Sequence, residues 1–139
     1  MSTAGRAHIT AIRARLAAQL PGGVTVLNGD ERDRTLPAGP FAVLHPDTGR
    51  STAPHLDQSP SHVESVVAVQ ACGETVDQAE WCAAKVTDAL VGWRPTLSGR
   101  TAWQVTQDYA QPVRLDDDIP ERPVQFAALG FRVRSQSAS

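Results

Sequence analysis

Lysine is almost missing from this chain: Lys85 is the only one, against twelve arginines, and Lys plus Arg (13) fall short of Asp plus Glu (15), for a formal net charge of −2. A domain that grips nucleic acid through its phosphates carries a basic excess. None is present, which leaves room only for a local basic patch. Cysteine is scarce too. Cys72 and Cys82 make neither a disulfide framework nor a CxxC metal half-site. Each lies in an apolar pattern and is read as a buried free thiol. No apolar run approaches the roughly 20 residues that span a bilayer, and Met1 to Arg6 does not lead into the apolar stretch of a signal peptide. The expectation is a protein made and used in cytoplasm, with no membrane partner. Also lacking are a GxGxxG fingerprint, a P-loop and a GxSxG elbow. The Gly22-Gly23 pair closes a helix instead of opening one.

What is there suffices for a globular domain. The chain has 139 residues, 41% of them apolar and 20% charged, which argues against global disorder and for one domain over residues 1–139. Residues 135–139 are read as a frayed polar tail. A first helix is expected from Thr3 to Leu20, because Ile9, Ile12, Leu16 and Leu20 recur at helical spacing and Pro21-Gly22-Gly23 stops it. Val24 to Leu27 and the proline-framed Phe41 to His45 are short strands. Asp47 to Ser61, cut by Pro54 and Pro60, is a long loop, and loops of that length tend to be functional or disordered. Val63 to Cys72 is a central strand with apolar residues on both faces. Thr75 and Gln78 form a capping box for a helix whose buried stripe is Val76, Ala79, Ala83, Val86, Leu90 and Trp93. Ala102 to Ala110, with Trp103 packed on the sheet, and Val124 to Arg134 are the last strands. Residues Val67, Val69, Val86, Leu90 and Phe126 are the expected core. The layout is α+β: one mixed or antiparallel sheet with two main helices packed on it.

Little in this layout carries chemistry. His8, His45, His55 and His62 have no metal-ligand spacing, so neither metal nor other cofactor is expected. Consecutive carboxylates at Asp116, Asp117 and Asp118 point in different directions. They suit a solvated turn or an electrostatic contact better than a cation site or acid–base work. Ser51, Ser59 and Ser61 lie near His55 and His62 in sequence, but a loop offers no rigid frame for a nucleophile and base. Trp81 falls off the buried stripe of its helix, on the side of Asp77, Lys85 and Asp88, where an exposed tryptophan serves as an interface anchor. The candidate interface residues are therefore Asp47, Arg50, His55, Leu56 and Asp57 of the loop, Trp81 and Lys85 of the helix, and Asp116, Asp117 and Asp118.

Certain segments have a familiar texture: the Leu-Pro-Gly-Gly break at Leu20 to Gly23, the strand Pro40-Phe-Ala-Val-Leu-His-Pro46, the Pro/Ser loop, the Val-rich strand Val63 to Gly73, the helix Thr75 to Leu90, and the strand Phe126 to Arg134. In this order the chain resembles the tail terminator (tail completion) proteins of long-tailed siphophages, those of actinobacterial hosts above all. The resemblance is one of layout and spans nearly the whole chain. It implies a structural virion protein without catalytic residues, assembled in the host cytoplasm. Such a protein forms a homo-oligomeric ring, typically a hexamer, on the head-proximal end of the tail tube. Its expected partners are further copies of itself, the major tail tube protein, the head–tail connector or stopper, and the tape-measure protein, with DNA passing through the lumen unbound. A ring needs two different faces on each subunit, and the long loop and the Trp81 side of the helix are the candidates. The rival readings are another neck protein, such as a head–tail stopper or connector adaptor, and a small ligand-binding or enzyme domain using the loop as a lid. A mainly β barrel would favour a stopper, two helices on a sheet the terminator, and a pocket of convergent polar groups the enzyme.

Overall fold

The computed structural model describes residues 3–22, 24–28, 39–45, 50–52, 62–116 and 124–137. Helix α1 (Thr3–Gln19) leads to strands β1 (Thr25–Asn28), β2 (Phe41–His45), β3 (Arg50–Thr52) and β4 (His62–Gly73). Helix α2 (Val76–Leu90) is followed by β5 (Arg100–Ala102), β6 (Thr106–Ala110), β7 (Arg114–Asp116) and β8 (Val124–Ser137). The result is the expected α+β arrangement.

The sheet is built on two long strands. β4 and β8 pair antiparallel from His62↔Gln136 to Gly73↔Gln125. Every other strand is short and lines one side of this pair. β2 and β3 pair with the free side of β4, and β1 adds to β2 in parallel. β5, β6 and β7 line the free side of β8 one after another. β8 explains why β5, β6 and β7 form at all: one long neighbour supplies the backbone partners of all three.

Both helices pack on one face of this sheet, α1 against α2, β4 and β1, and α2 against β4 and β8. Period-2 alternation on β4 and β8 meets period-3.6 stripes on the helices, so one apolar side of each element turns inward. Ile9, Ile12, Leu16 and Leu20 of the α1 segment pack with Val67, Val69, Val86, Leu90, Phe131 and Val133. Arg15 fastens the helices together. Its Nε donates to the Ala89 carbonyl at 2.9 Å, near the C-terminal end of α2, and its guanidinium lies 5.2 Å from the Trp93 ring. Cys82 is fully buried and Cys72 is buried, and neither is in a disulfide. Their side chains fall in clusters on opposite faces of the sheet. Burial pushes the Cys82 thiol up to about 11, which leaves it protonated and unreactive.

The α2 N-terminus is capped as its sequence predicts. Gln78 N–H donates to Thr75 Oγ1 at 3.1 Å, and Gln78 Oε1 accepts from the Glu74 N–H at 2.9 Å. The return bond thus reaches one residue before the cap. Gly73 joins β4 to this helix at such close quarters that a Cβ there would sit 2.5 Å from the Gln78 Cβ. Thr75→Ala should lower unfolding free energy by about 1 kcal/mol, and Thr75→Ser should restore most of it. Urea denaturation of the three proteins measures both.

Several expectations are corrected. The segment from Asp47 to Ser61 is not all loop, because Arg50–Thr52 pairs with β4. Ala102 to Ala110 is two strands. The chain leaves β8 after Trp103, and Val105 exchanges backbone bonds with Gly92 and Trp93 at 2.9 and 2.8 Å. Trp103 is exposed. Val76, the first residue of α2, overhangs the sheet at 45% exposure. Phe126 and Trp93 are half-buried. The helices cover β4 on its odd-numbered face only; its even-numbered residues from His62 to Gln70 are half-exposed, and Cys72 at the far end is buried in the small cluster on the other face. The polar tail is not frayed at its start, for β8 runs on to Ser137 and Ser135 is fully buried.

Candidate interaction surfaces

Two unlike surfaces lie on opposite sides of the molecule. The first is the outer side of α2. At 100° per residue, Asp77, Trp81, Ala84 and Asp88 fall on the side opposite Cys82, Val86 and Leu90, with Glu80 and Lys85 flanking them. Trp81 is 40% exposed, and the Lys85 ammonium stands 5.9 Å from its ring. Three carboxylates and one ammonium surround that tryptophan, so this side is acidic.

The second is the sheet face that the helices leave open. One end holds a small apolar cluster of Phe41, Val43, Cys72 and Val124 with Leu27 and Phe126 at its margin; the Arg114 guanidinium lies 5.0 Å over the Phe126 ring. In the middle, the Tyr109 ring lies on Gly130 so closely that a Cβ there would come within 2.1 Å of it. Beyond it, Arg132 donates to Asp108 Oδ1 from Nη2 at 2.6 Å and from Nε at 3.2 Å, and it also pairs with Glu64. These carboxylates raise the Arg132 pKa, the Asp108 hydrogen bond first among them. Arg134, next on the same face, has no such partner among the described residues, and its Nε is buried without a hydrogen bond. Trp103, 37% exposed, donates its backbone N–H to the Arg134 carbonyl at 3.0 Å, and its ring lies 5.4 Å from that of His62.

Between the helix layer and the sheet lies a third, buried feature. His8 of α1 is fully buried, with Nδ1 2.9 Å from Ser65 Oγ and Nε2 2.6 Å from Ser135 Oγ. Ser135 Oγ accepts from Arg100 Nε at 2.8 Å, and the Ser135 carbonyl accepts from Arg100 Nη2 at 3.1 Å. With the Ser135 hydroxyl proton given to Nε2, the neutral ring donates from Nδ1 to Ser65, and every member of the chain is satisfied. Burial, then the charges of Arg100 and His62, pull the His8 pKa down to about 4.

The candidate interface residues are not gathered into one site. Trp81 and Lys85 share the outer side of α2. Arg50 stands in β3 opposite Glu64, which is opposite Arg134. Asp116 ends β7 opposite Val124, ten residues from Arg134 along β8, or about 33 Å. Asp47, His55, Leu56, Asp57, Asp117 and Asp118 lie outside the described residues. Sequence reasoning missed His8, Ser65, Ser135, Arg134 and Trp103. For the first three a signal existed: each is a polar residue on an apolar-periodic face.

Among the described residues no group of three His, Cys, Asp or Glu side chains could hold a metal, and no helix is long and apolar enough to cross a membrane. An open groove of about 450 Å³ runs between α1 and residues 96–98, lined by Arg6, Thr10, Ala14 and Leu97 among others. None of its described lining residues is a carboxylate or a histidine.

No protein-family model matches the chain, and no curated protein matches it. Solved structures do. A chain of the virion of a native gene transfer agent particle is similar over 99% of this chain and 100% of its own length, with a TM-score of 0.69 and 18% identity. A second solved chain is similar over 100% of this one and 99% of its own, with a TM-score of 0.66 and 14% identity. What these likenesses show is a shared fold.

Proposed function

We propose that this protein is a virion structural component, and specifically a tail terminator that acts as one domain. It forms a ring, expected to be a hexamer, on the head-proximal end of the tail tube. There it stops tube growth and presents the surface for head joining. The observation that carries this reading is the end-to-end likeness to a chain of a gene transfer agent virion, with neither chain overhanging the other. Two helices on one side of a curled sheet also favour a terminator over a stopper, for which a mainly β barrel would be expected. The partners in this reading are other copies of the chain, the tube protein, the connector and the tape-measure protein. The protein resides in the virion tail, and DNA crosses its lumen without specific contacts.

The test is to remove the protein from the particle that encodes it and to image the products. A terminator leaves overlong, headless tubes of variable length. Filled heads that leak DNA beside tails of normal length would instead mark a stopper or connector adaptor. Unchanged infectious particles would end the structural reading.

A further inference from the structure

We infer that neighbouring copies in the ring join back to front, the acidic outer side of α2 on one copy seating against the Arg134–Trp103 end of the open sheet face on the next. This inference rests on the ring reading above and supplies its interface.

Three observations carry it. First, the two surfaces are on opposite sides of one molecule, since α2 covers the face that Arg134 does not share. They cannot meet within a copy but can meet between copies, and such a contact between two different patches is the kind that builds a ring when the rotation between copies closes. Second, their charges are complementary. Asp77, Glu80 and Asp88 surround Trp81 with Lys85 as the only cation, and Lys85 is already held over the Trp81 ring. On the other side, Asp108 and Glu64 are both engaged by Arg132, which leaves Arg134 unmatched, with a buried Nε that bonds to nothing among the described residues. Third, each surface offers an exposed tryptophan, Trp81 at 40% and Trp103 at 37%. Tryptophan and arginine are the residues that dominate binding energy at interface centres. The acids of the first α2 turn also favour the helix dipole, but that role does not call for Asp88, near the C-terminal end, or for an exposed Trp81.

The experiment reverses charge on each side. Asp88→Arg and Arg134→Glu are made singly and together, and the copies of the protein per purified tail are counted by quantitative mass spectrometry. Thermal melting of each purified variant checks that it folds. Asp88→Arg is a mild change for the helix, because a cation suits its C-terminal end. Each single variant should lower incorporation at least tenfold, and the double variant should return it to within about threefold of wild type. Single variants that incorporate normally would overturn this interface while leaving the ring intact. So would a folded double variant that is not rescued, since the two residues would then act on different partners. A wild-type tail holding one copy would overturn the ring reading itself.

Discussion

His8→Asn should cost the protein a few kcal/mol at neutral pH and, at the same time, remove most of its sensitivity to mild acid. The ring bridges two serine hydroxyls 2.9 and 2.6 Å away with no water-exposed side. A shorter side chain reaches one of them at most, and the other is left buried without a partner. The pH effect follows from the low folded pKa of about 4, set by burial first and by Arg100 and His62 next, against an ordinary value near 6.5. Between these values the unfolded chain takes up a proton at His8 and the folded chain does not, so stability falls as pH drops from about 6.5 towards 4. Above 6.5 both states are neutral there and the contribution is constant. The loss across the window is on the order of 2–3 kcal/mol. Guanidinium titrations at pH 7.5, 6.0 and 4.5 on wild type and His8→Asn isolate this group, since carboxylates contribute to both proteins alike. Parallel pH slopes for the two would show that His8 takes up its proton in the folded protein as readily as in solution.

The same network marks where sequence reading stopped. Helical periodicity located α1 and α2, and proline framing or apolar alternation located β2, β4 and β8, because those elements are stabilised by their own buried faces. β3 and β7 leave no strand signal of their own, and β6 reads only as part of one longer strand from Ala102 to Ala110. All five residues of β6 are exposed, and its pairing comes from β8. The break at Val105 was hidden for a similar reason: its partners are Gly92 and Trp93 at the exit of α2, a contact that exists only once the helix has docked. Ser65 and Ser135 carry the inward parity of β4 and β8, and His8 lies four residues before Ile12 on the α1 stripe, so their burial was legible in principle. Trp81 was placed outside the core by helical angle alone. Trp103 was expected to pack on the sheet and is exposed, and Arg134 was placed on the last strand without its face, because only the packed structure decides which face of β4 and β8 the helices leave open.

Leu90→Asp should leave the protein largely unfolded at 25 °C. Leu90 is fully buried and belongs to the cluster in which α1, α2 and the sheet meet. The segment around it is tied on two sides: Arg15 of α1 donates to the Ala89 carbonyl, and Gly92 and Trp93 exchange bonds with Val105. The cluster around it is apolar, so an aspartate there would either ionise among apolar side chains or stay protonated with its hydroxyl unmatched. The first costs several kcal/mol and the second somewhat less, on top of about 2–3 kcal/mol of lost apolar burial. A typical domain is stable by about 5–15 kcal/mol, and a combined loss above about 5 kcal/mol exhausts that margin in the lower part of the range. Leu90→Ala separates the two causes, since it forfeits the apolar contacts without adding charge and should cost about 2–5 kcal/mol. It should therefore still fold and melt cooperatively. Circular dichroism melts of the three proteins provide the comparison. An aspartate variant as stable as the alanine one would mean that the α2 C-terminus opens to solvent at little cost, and the junction of Arg15, Ala89 and Val105 would not be what holds the helix layer to the sheet.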